Sequence, residues 1–280
     1  MSVFKLLLDK RPRRKLEAQR WTAHNIALTK GVTTMPGEPD FMQTNRGLLA
    51  ILRTLSLLYR GRLANLRAAD LGCLEGGFAL ALAQRGMNVV GIEARAGNLE
   101  KAELLADHFK LPNLRFELGD VKNFTRQNYG DFDVVLALGI LYHLDEPTAW
   151  LRQVAQATRS VLIVDSHYAP ADDASLALLD PRIAQLSALE RLEDQGTTYE
   201  GRWFFEYGEN VDVEGEVWSA YSNRQSFWLT KESLLLALSR VGFDLVFEQH
   251  DYSAKYYKLF TIEKPRVMLV GVKGDTFVGQ

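Results

Sequence analysis

The 280-residue chain contains a single cysteine, Cys73, so it can form no internal disulfide and holds no cysteine-rich zinc site. It has no apolar run near the length of a membrane span. The N-terminal one, Leu6-Leu7-Leu8, is too short for the hydrophobic stretch of a signal peptide. A reducing, cytoplasmic setting without a membrane is therefore expected. With a net charge of -2 the chain has no general excess of cations to attract nucleic acid, and nothing in it reads as a repeat or a low-complexity segment. What is present, 47% hydrophobic and 24% charged residues, suffices for a full core, and one large domain with additions is expected.

The most informative segment is Ala69-Asp-Leu-Gly-Cys-Leu-Glu-Gly-Gly77, an apolar strand that enters a glycine-marked turn and then a helix. Such a turn, at the carboxyl end of a first parallel strand, lets the backbone approach a nucleotide-like ligand closely. The next strand-like run ends at Glu93, 21 residues after Gly72, and the following one ends at Gly119-Asp120. A carboxylate at the Glu93 spacing is placed to accept from ribose hydroxyls, each such bond contributing about 1.5 to 3 kcal/mol. Asp120 can accept from an exocyclic adenine amine. A dinucleotide loop would carry a second glycine where this chain has Leu74, and Asp70 and Glu75 beside it would repel a diphosphate. The reading is an adenosine that carries positive charge.

These residues resemble the Rossmann-like, class I S-adenosylmethionine-dependent methyltransferases. The resemblance runs from about Arg67 to Lys273 and rests on Asp70-Leu71-Gly72, Glu93 in Val-Gly-Ile-Glu-Ala-Arg, Asp120 in Leu-Gly-Asp-Val, and Ala137 to Leu144, Ala-Leu-Gly-Ile-Leu-Tyr-His-Leu. Leu74 departs from the family's glycine turn; Asp70, Gly72 and Gly76 match it. The resemblance implies S-adenosyl-L-methionine as cofactor. The candidate cofactor-binding residues are Asp70, Gly72, Cys73, Gly76, Glu93, Asp120, Val121 and Gly139. For Asp70 a purely structural role, accepting backbone amides under the turn, is the alternative, and Cys73 reads most simply as a small apolar turn residue. Arg46 can either bind the cofactor carboxylate or serve as a surface cation.

Periodicity divides the chain into a mostly helical cap, 1–65, and a methyltransferase domain, 66–280, with 166–228 inserted as a substrate lid. Leu48, Leu49, Ile51, Leu52 and Leu55 form a helical apolar stripe in the cap. From 66 to 166 strands and helices alternate, which implies an α/β, doubly wound, mostly parallel sheet with helices on both faces. Thr230 caps a last helix that Gly242 ends, and two final strands, Phe243 to Gln249 and Arg266 to Lys273, form an antiparallel pair. In the family such a pair closes a seven-stranded sheet.

The insertion carries three of the five tryptophans, Trp203, Trp218 and Trp228, together with Tyr199, Phe204, Phe205, Tyr207, Tyr221 and Phe227. Six acids, from Glu200 through Glu206 to Glu216, interleave with Arg202. It reads as a lid holding an aromatic or cationic small-molecule acceptor. The alternative is a satellite core with solvated acids. No histidine falls among these acids, so no metal site is expected.

Methyl transfer from a sulfonium is an in-line displacement for which alignment supplies about 7 to 11 kcal/mol. A base is needed only for a hydroxyl or a protonated amine. Catalytic candidates past the strand ends are His143 and His167, with Tyr142 and Asp165 beside them; His143 leads because the ordinary pKa of histidine suits proton removal near neutrality. His24, His108 and His250 read as surface or packing residues. The expected function is methyl transfer to oxygen or nitrogen of a small molecule. Leu-Tyr-His-Leu also looks like the segment of enzymes that alkylate the wobble uridine of tRNA, a reading supported by Lys10 to Lys15, Arg20, Arg60 and Arg62 and opposed by the acidic insertion. A non-catalytic cofactor-binding module is the third alternative. Oligomeric state is not legible.

Overall fold

Apolar residues stand in adjacent pairs along the strands, and the sheet sends the two members of each pair to opposite faces. Ala68, Val89, Val134 and Ile163 face one core with the helices Arg46–Leu58, Gly77–Ala83 and Ala96–Phe109; Ala69, Val90, Val135 and Leu162 face the other with Pro147–Ala157 and Lys231–Arg240. Each fully buried leucine or isoleucine among them contributes about 1.5 to 3 kcal/mol. The computed structural model describes residues 15–29, 31–38, 41–181, 183, 185–251 and 265–274. Of the basic run Lys10 to Lys15 only Lys15 falls within these, and Leu6-Leu7-Leu8 lies outside them.

In chain order the strands are β1 (Ala27–Thr29), β2 (Val32–Thr33), β3 (Arg67–Leu71), β4 (Asn88–Glu93), β5 (Leu114–Leu118), β6 (Phe132–Leu138), β7 (Thr158–His167), β8 (Glu190–Asp194), β9 (Thr197–Phe205), β10 (Gln225–Leu229), β11 (Leu245–Glu248) and β12 (Arg266–Val272). Seven form one sheet in the order β11-β12-β7-β6-β3-β4-β5. The five from β7 to β5 are parallel, whereas β12 runs antiparallel to both β7 and β11. The doubly wound, mostly parallel seven-stranded sheet is thus present, including its antiparallel closing pair. Strand order reverses between β3 and β6, which opens the ligand crevice at their carboxyl ends.

Helix ends follow their capping residues. Asn45 accepts from Leu48 N–H and Thr230 from Ser233 N–H, Pro147 opens its helix, and Gly242 stands at φ 97° after the last one. The stripe Leu48, Ile51, Leu52 and Leu55 is buried as the periodicity requires.

The expected helical cap lies in part, residues 1–14, outside the described residues. Among those described before β3, a helical turn at 15–18, the short turn Met42–Thr44 and the helix Arg46–Leu58 are joined by the β1–β2 hairpin and irregular chain. Polar side chains organise that chain: Thr34 Oγ1 donates to His24 O at 2.6 Å, and Asn25 Nδ2 donates to Glu38 O at 2.7 Å. The 166–228 insertion builds a sheet of its own, β10-β9-β8, whose β8–β9 turn places Gln195 and Gly196 at positive φ. Arg202, 1% exposed on β9, ties this unit together by donating to Pro170 O, Ser187 O and the Asp173 carboxylate.

Asp70 lies beneath the glycine turn and accepts Ala79 N–H at 3.0 Å. Burial pushes its carboxyl up to about 7. The unfolded chain ionises it near its ordinary value, so folding takes up a proton between about pH 4 and pH 7, and stability falls as pH rises through that window. Asp70→Asn lacks this titration. Its melting temperature relative to the parent should therefore rise from pH 5 to pH 8; an equal offset at the two pH values would remove the protonated carboxyl.

Candidate active site

Strand register brings the sequence motifs to one edge. Leu71 pairs with Ile92, Glu93 with Leu118, and Leu138 with Asp165, so Gly72, Glu93, Asp120, Gly139 and His167 all emerge at the same end of the sheet. There a cavity of about 1080 Å³ opens, walled by Gly72, Leu74, Glu93, Asp120, Val121, Gly139, His143 and His167 among others. A single drug-sized ligand occupies a pocket of about 300 to 1,000 Å³, so this one has room for a donor and an acceptor together.

Glu93 is the best-placed acceptor. One carboxylate oxygen accepts Leu74 N–H and the other accepts Arg95 N–H, each at 2.9 Å, and each keeps a lone pair for a vicinal hydroxyl. Burial raises its pKa while the two amides favour the anion. Leu74 reaches Glu93 by adopting φ 48°, so a side-chain-bearing residue does stand in the left-handed turn where a glycine was expected. Asp120 Oδ1 accepts Lys122 N–H at 2.9 Å. Gly72 stands at φ 65°, where a Cβ would run into Ile140. Gly139, at φ 75°, donates its N–H to Asp165 O at 2.8 Å.

Three expected cofactor contacts are relocated. Asp70, Cys73 and Gly76 lie behind the turn and not on the cavity wall. Asp70 holds the helix amide already described, the Cys73 thiol is buried and its N–H donates to Ile92 O, and Gly76 at φ 78° packs under the Phe116 ring. Glu75 does not face a ligand either. It is fully buried and accepts N–H from Thr22, Ala23 and His24 and an ion pair from Lys101 at 3.0 Å. These hydrogen bonds, working against burial, leave its pKa below the ordinary value. His24 is a buried cap and not a surface residue: its Nδ1 accepts Gly77 N–H at 3.0 Å, and burial drives its pKa down.

The two candidate bases have opposite surroundings. His143 donates from Nδ1 to Glu206, with oxygens at 2.9 and 3.0 Å; Nε2 has no protein partner among the described residues. The Glu206 side chain is 1% exposed and is held by Ser226 O–H at 2.6 Å and Ala220 N–H at 3.0 Å. His167 instead donates from Nδ1 to Pro265 O at 3.0 Å and turns Nε2 toward the Arg266 guanidinium at 3.5 Å. Burial, then Arg266, lowers its pKa to about 4, and with Nδ1 on Pro265 O and Nε2 facing Arg266 neither ring nitrogen is left free as Nε2 is in His143. Arg266 is itself fixed by a two-pronged ion pair with Asp165 at 2.9 and 3.1 Å.

The insertion's rings divide between two roles. Tyr199, Trp203 and Phe227 pack onto the sheet-facing core. Trp228 reaches the cavity wall but is sandwiched between His167, at 5.2 Å, and Phe204, at 5.0 Å, with Tyr142 against its edge. Trp218, 65% exposed, and Tyr221 present rings to the cavity from the 206–224 strap that joins β9 to β10. Sequence reasoning missed Glu206 and Arg95 as site residues. Glu206 was one acid in a run of six, and only its partner 63 residues away marks it out. Among the described residues no group of three or more histidine, cysteine, aspartate or glutamate side chains is arranged to hold a metal ion, and no helix is long and apolar enough to cross a membrane.

Fold and crevice define an α/β domain built to bind an adenosine-type ligand at the switch point of its sheet. The chain belongs to the methyltransferase-domain family, whose model matches residues 63–221. It is similar to the O-antigen chain terminator bifunctional methyltransferase/kinase WbdD of Escherichia coli, 26% identical over 159 residues that cover 49% of this chain and 22% of that protein. It is also similar to the ubiquinone biosynthesis O-methyltransferase of Psychrobacter arcticus, 35% identical over 88 residues covering 31% of this chain and 34% of that protein. The chain thus spans about a fifth to a third of these relatives. Among solved structures, the N-terminal domain of EvdMO1 in the presence of SAH and D-fucose superposes with a TM-score of 0.66 at 25% identity, over 95% of this chain and 97% of that one. Magnesium protoporphyrin IX methyltransferase from Synechocystis with bound SAM shares the fold at TM-score 0.51 and 17% identity, covering 86% and 87%.

If Glu93 receives two ribose hydroxyls, Glu93→Ala should weaken S-adenosylhomocysteine binding by about tenfold or more. Isothermal titration measures this directly, and an unchanged affinity would remove the ribose role.

Proposed function

We propose that the protein is an S-adenosylmethionine-dependent methyltransferase that transfers the methyl group to a hydroxyl oxygen of a small-molecule acceptor. The observation that carries this reading is His143 on the cavity wall with the buried Glu206 carboxylate behind it. A carboxylate that holds Nδ1–H leaves Nε2 as the proton acceptor, the arrangement a hydroxyl nucleophile requires. The residues present suit the donor: Glu93 offers two acceptors to a diol, Asp120 offers one to an amine, and backbone at Gly72 and Gly139 admits close approach. When bound, that donor supplies an activated sulfonium methyl, the O–C bond forming as the C–S bond breaks and sulfur retains the electron pair.

The chain's own residues supply the rest. Glu93 and Asp120 fix the donor's orientation, the strap with Trp218 and Tyr221 covers the crevice and restricts water, and His143 Nε2 takes the proton of the acceptor hydroxyl while Glu206 stabilises the imidazolium. The acceptor class follows from the wall. The rings of Tyr142, His167, Trp228 and Phe204 are engaged with one another, leaving Trp218 and Tyr221 at the rim, while the Ser222 hydroxyl and the spare acceptor positions of Ser219 and Asp165 line the same wall, which suits a hydroxylated molecule such as a sugar. The similar domain of EvdMO1, crystallised with SAH and D-fucose, supports the same reading.

The test is incubation with radiolabelled methyl donor and separate panels of free sugars, glycosides, phenols and bulk tRNA. Label should enter hydroxylated small molecules. His143→Ala should lower that transfer by about 10²- to 10⁴-fold with little change in donor affinity. Label confined to RNA, or full turnover by His143→Ala on a hydroxyl acceptor, would falsify this assignment.

A further inference from the structure

A single peptide unit of the strap is gripped from both sides. The carbonyl of Ser219 accepts from Arg95 Nη2 at 2.9 Å, and the N–H of the same peptide bond, that of Ala220, donates to Glu206 at 3.0 Å. A peptide unit is planar and trans, so its C=O and N–H point in opposite directions and turn together. Whatever fixes the carbonyl therefore fixes the direction in which the N–H meets Glu206, and Glu206 in turn holds His143 Nδ1.

Arg95 is built for that grip. It is 6% exposed, it stands two residues after Glu93, and its own N–H donates to the Glu93 carboxylate. Its guanidinium donates to Val213 O at 3.0 Å and Glu216 O at 2.7 Å as well as to Ser219 O, with the Tyr221 ring 5.5 Å from its Cζ. The far end of the strap is tied to the same base: Asn223 Nδ2 donates to His143 O at 2.9 Å. A continuous set of contacts thus runs from the carboxylate that receives the donor, through one arginine and one peptide plane, to the base that serves the acceptor.

Resting on the methyl-transfer reading above, we propose that Arg95 is a positioning residue: it docks the strap on the donor-binding strand end and so sets the Glu206–His143 pair. Donor binding and base orientation are then coupled. The donor closes on Glu93 and steadies Arg95, Arg95 holds the 219–220 peptide, and the base is aligned once the donor is in place. Coupling of this kind is reciprocal, so the docked strap also retains the donor.

Hydrogen exchange read by mass spectrometry, with S-adenosylhomocysteine as the probe, tests this without an acceptor. In the wild type, saturating probe should slow exchange in peptides covering 213–222 by about fivefold or more. Arg95→Gln should lose the strap protection and, because the coupling is reciprocal, weaken the probe by about the fivefold that the protection is worth and no more, since the amide of residue 95 remains on Glu93. Arg95→Lys, which keeps the charge and guards against a folding defect, should recover protection only in part, since an ammonium lacks the planar fork. Once an acceptor is in hand, Arg95→Gln should lower kcat by about tenfold while donor KM rises by no more than about fivefold, and the Arg95→Gln/Glu206→Gln double variant should be no slower than Glu206→Gln alone. If the probe fails to stabilise the wild type, the donor assignment is overturned and this proposal with it. A probe that binds without protecting the strap, or a double variant with additive losses, overturns the positioning role alone.

Discussion

The mouth of the crevice depends on one buried carboxylate. Glu93 accepts an amide from the glycine turn at Leu74 and another from the strand end at Arg95, which joins two neighbouring strands of the sheet at the point where a ligand enters. The left-handed conformation this requires of Leu74 costs about 1 to 2 kcal/mol. A charge-assisted bond to Glu93 is worth about 1.5 to 3 kcal/mol, enough to hold the turn in that shape. The acceptor oxygens at the cavity mouth and the loop that shapes it are therefore consequences of the same group.

A second buried carboxylate does comparable work on the opposite side of the turn. Glu75 collects three consecutive amides, and His24, carried by that same stretch, caps a helix whose own N-cap residue is a glycine. Segments far apart in sequence thereby become one wall. The two histidines beside the crevice show how environment divides one residue type between roles. His143 faces a carboxylate through Nδ1 and borders the cavity, whereas His167 faces a guanidinium and a carbonyl within a stack of rings.

Much of this was legible in the chain itself. Strand pairs such as Val89-Val90 and Val134-Val135, with turn glycines between them, mark the parallel sheet, and Thr230 and Gly242 bound the last helix where its caps require. Glu93, Asp120 and His143 could be placed because each follows a strand at a fixed offset, and offset is what a sequence records. Glu75, Arg95 and Glu206 could not, because their partners lie about 50 to 125 residues away and are set by packing. The aromatic insertion was legible in composition but not in arrangement: nothing in the order of the residues tells that Trp228 stacks on His167 and Phe204 while Trp218 stays open. The hairpin-bearing stretch from 22 to 38 leaves no such pattern, because its order comes from Glu75 and Thr34 and not from periodicity.

Every hydrogen bond from the Arg95 side chain to the strap goes to a main-chain oxygen, of Val213, Glu216 or Ser219, and Glu206 meets it through a main-chain amide. Every residue type offers the carbonyls, and all but proline offer the amide. Apart from Glu206, Tyr221 and Asn223, side chains along the strap can therefore drift while docking is preserved. Within a lineage built on this scaffold, the exposed positions of the strap can change their chemistry without undocking it from the strand end.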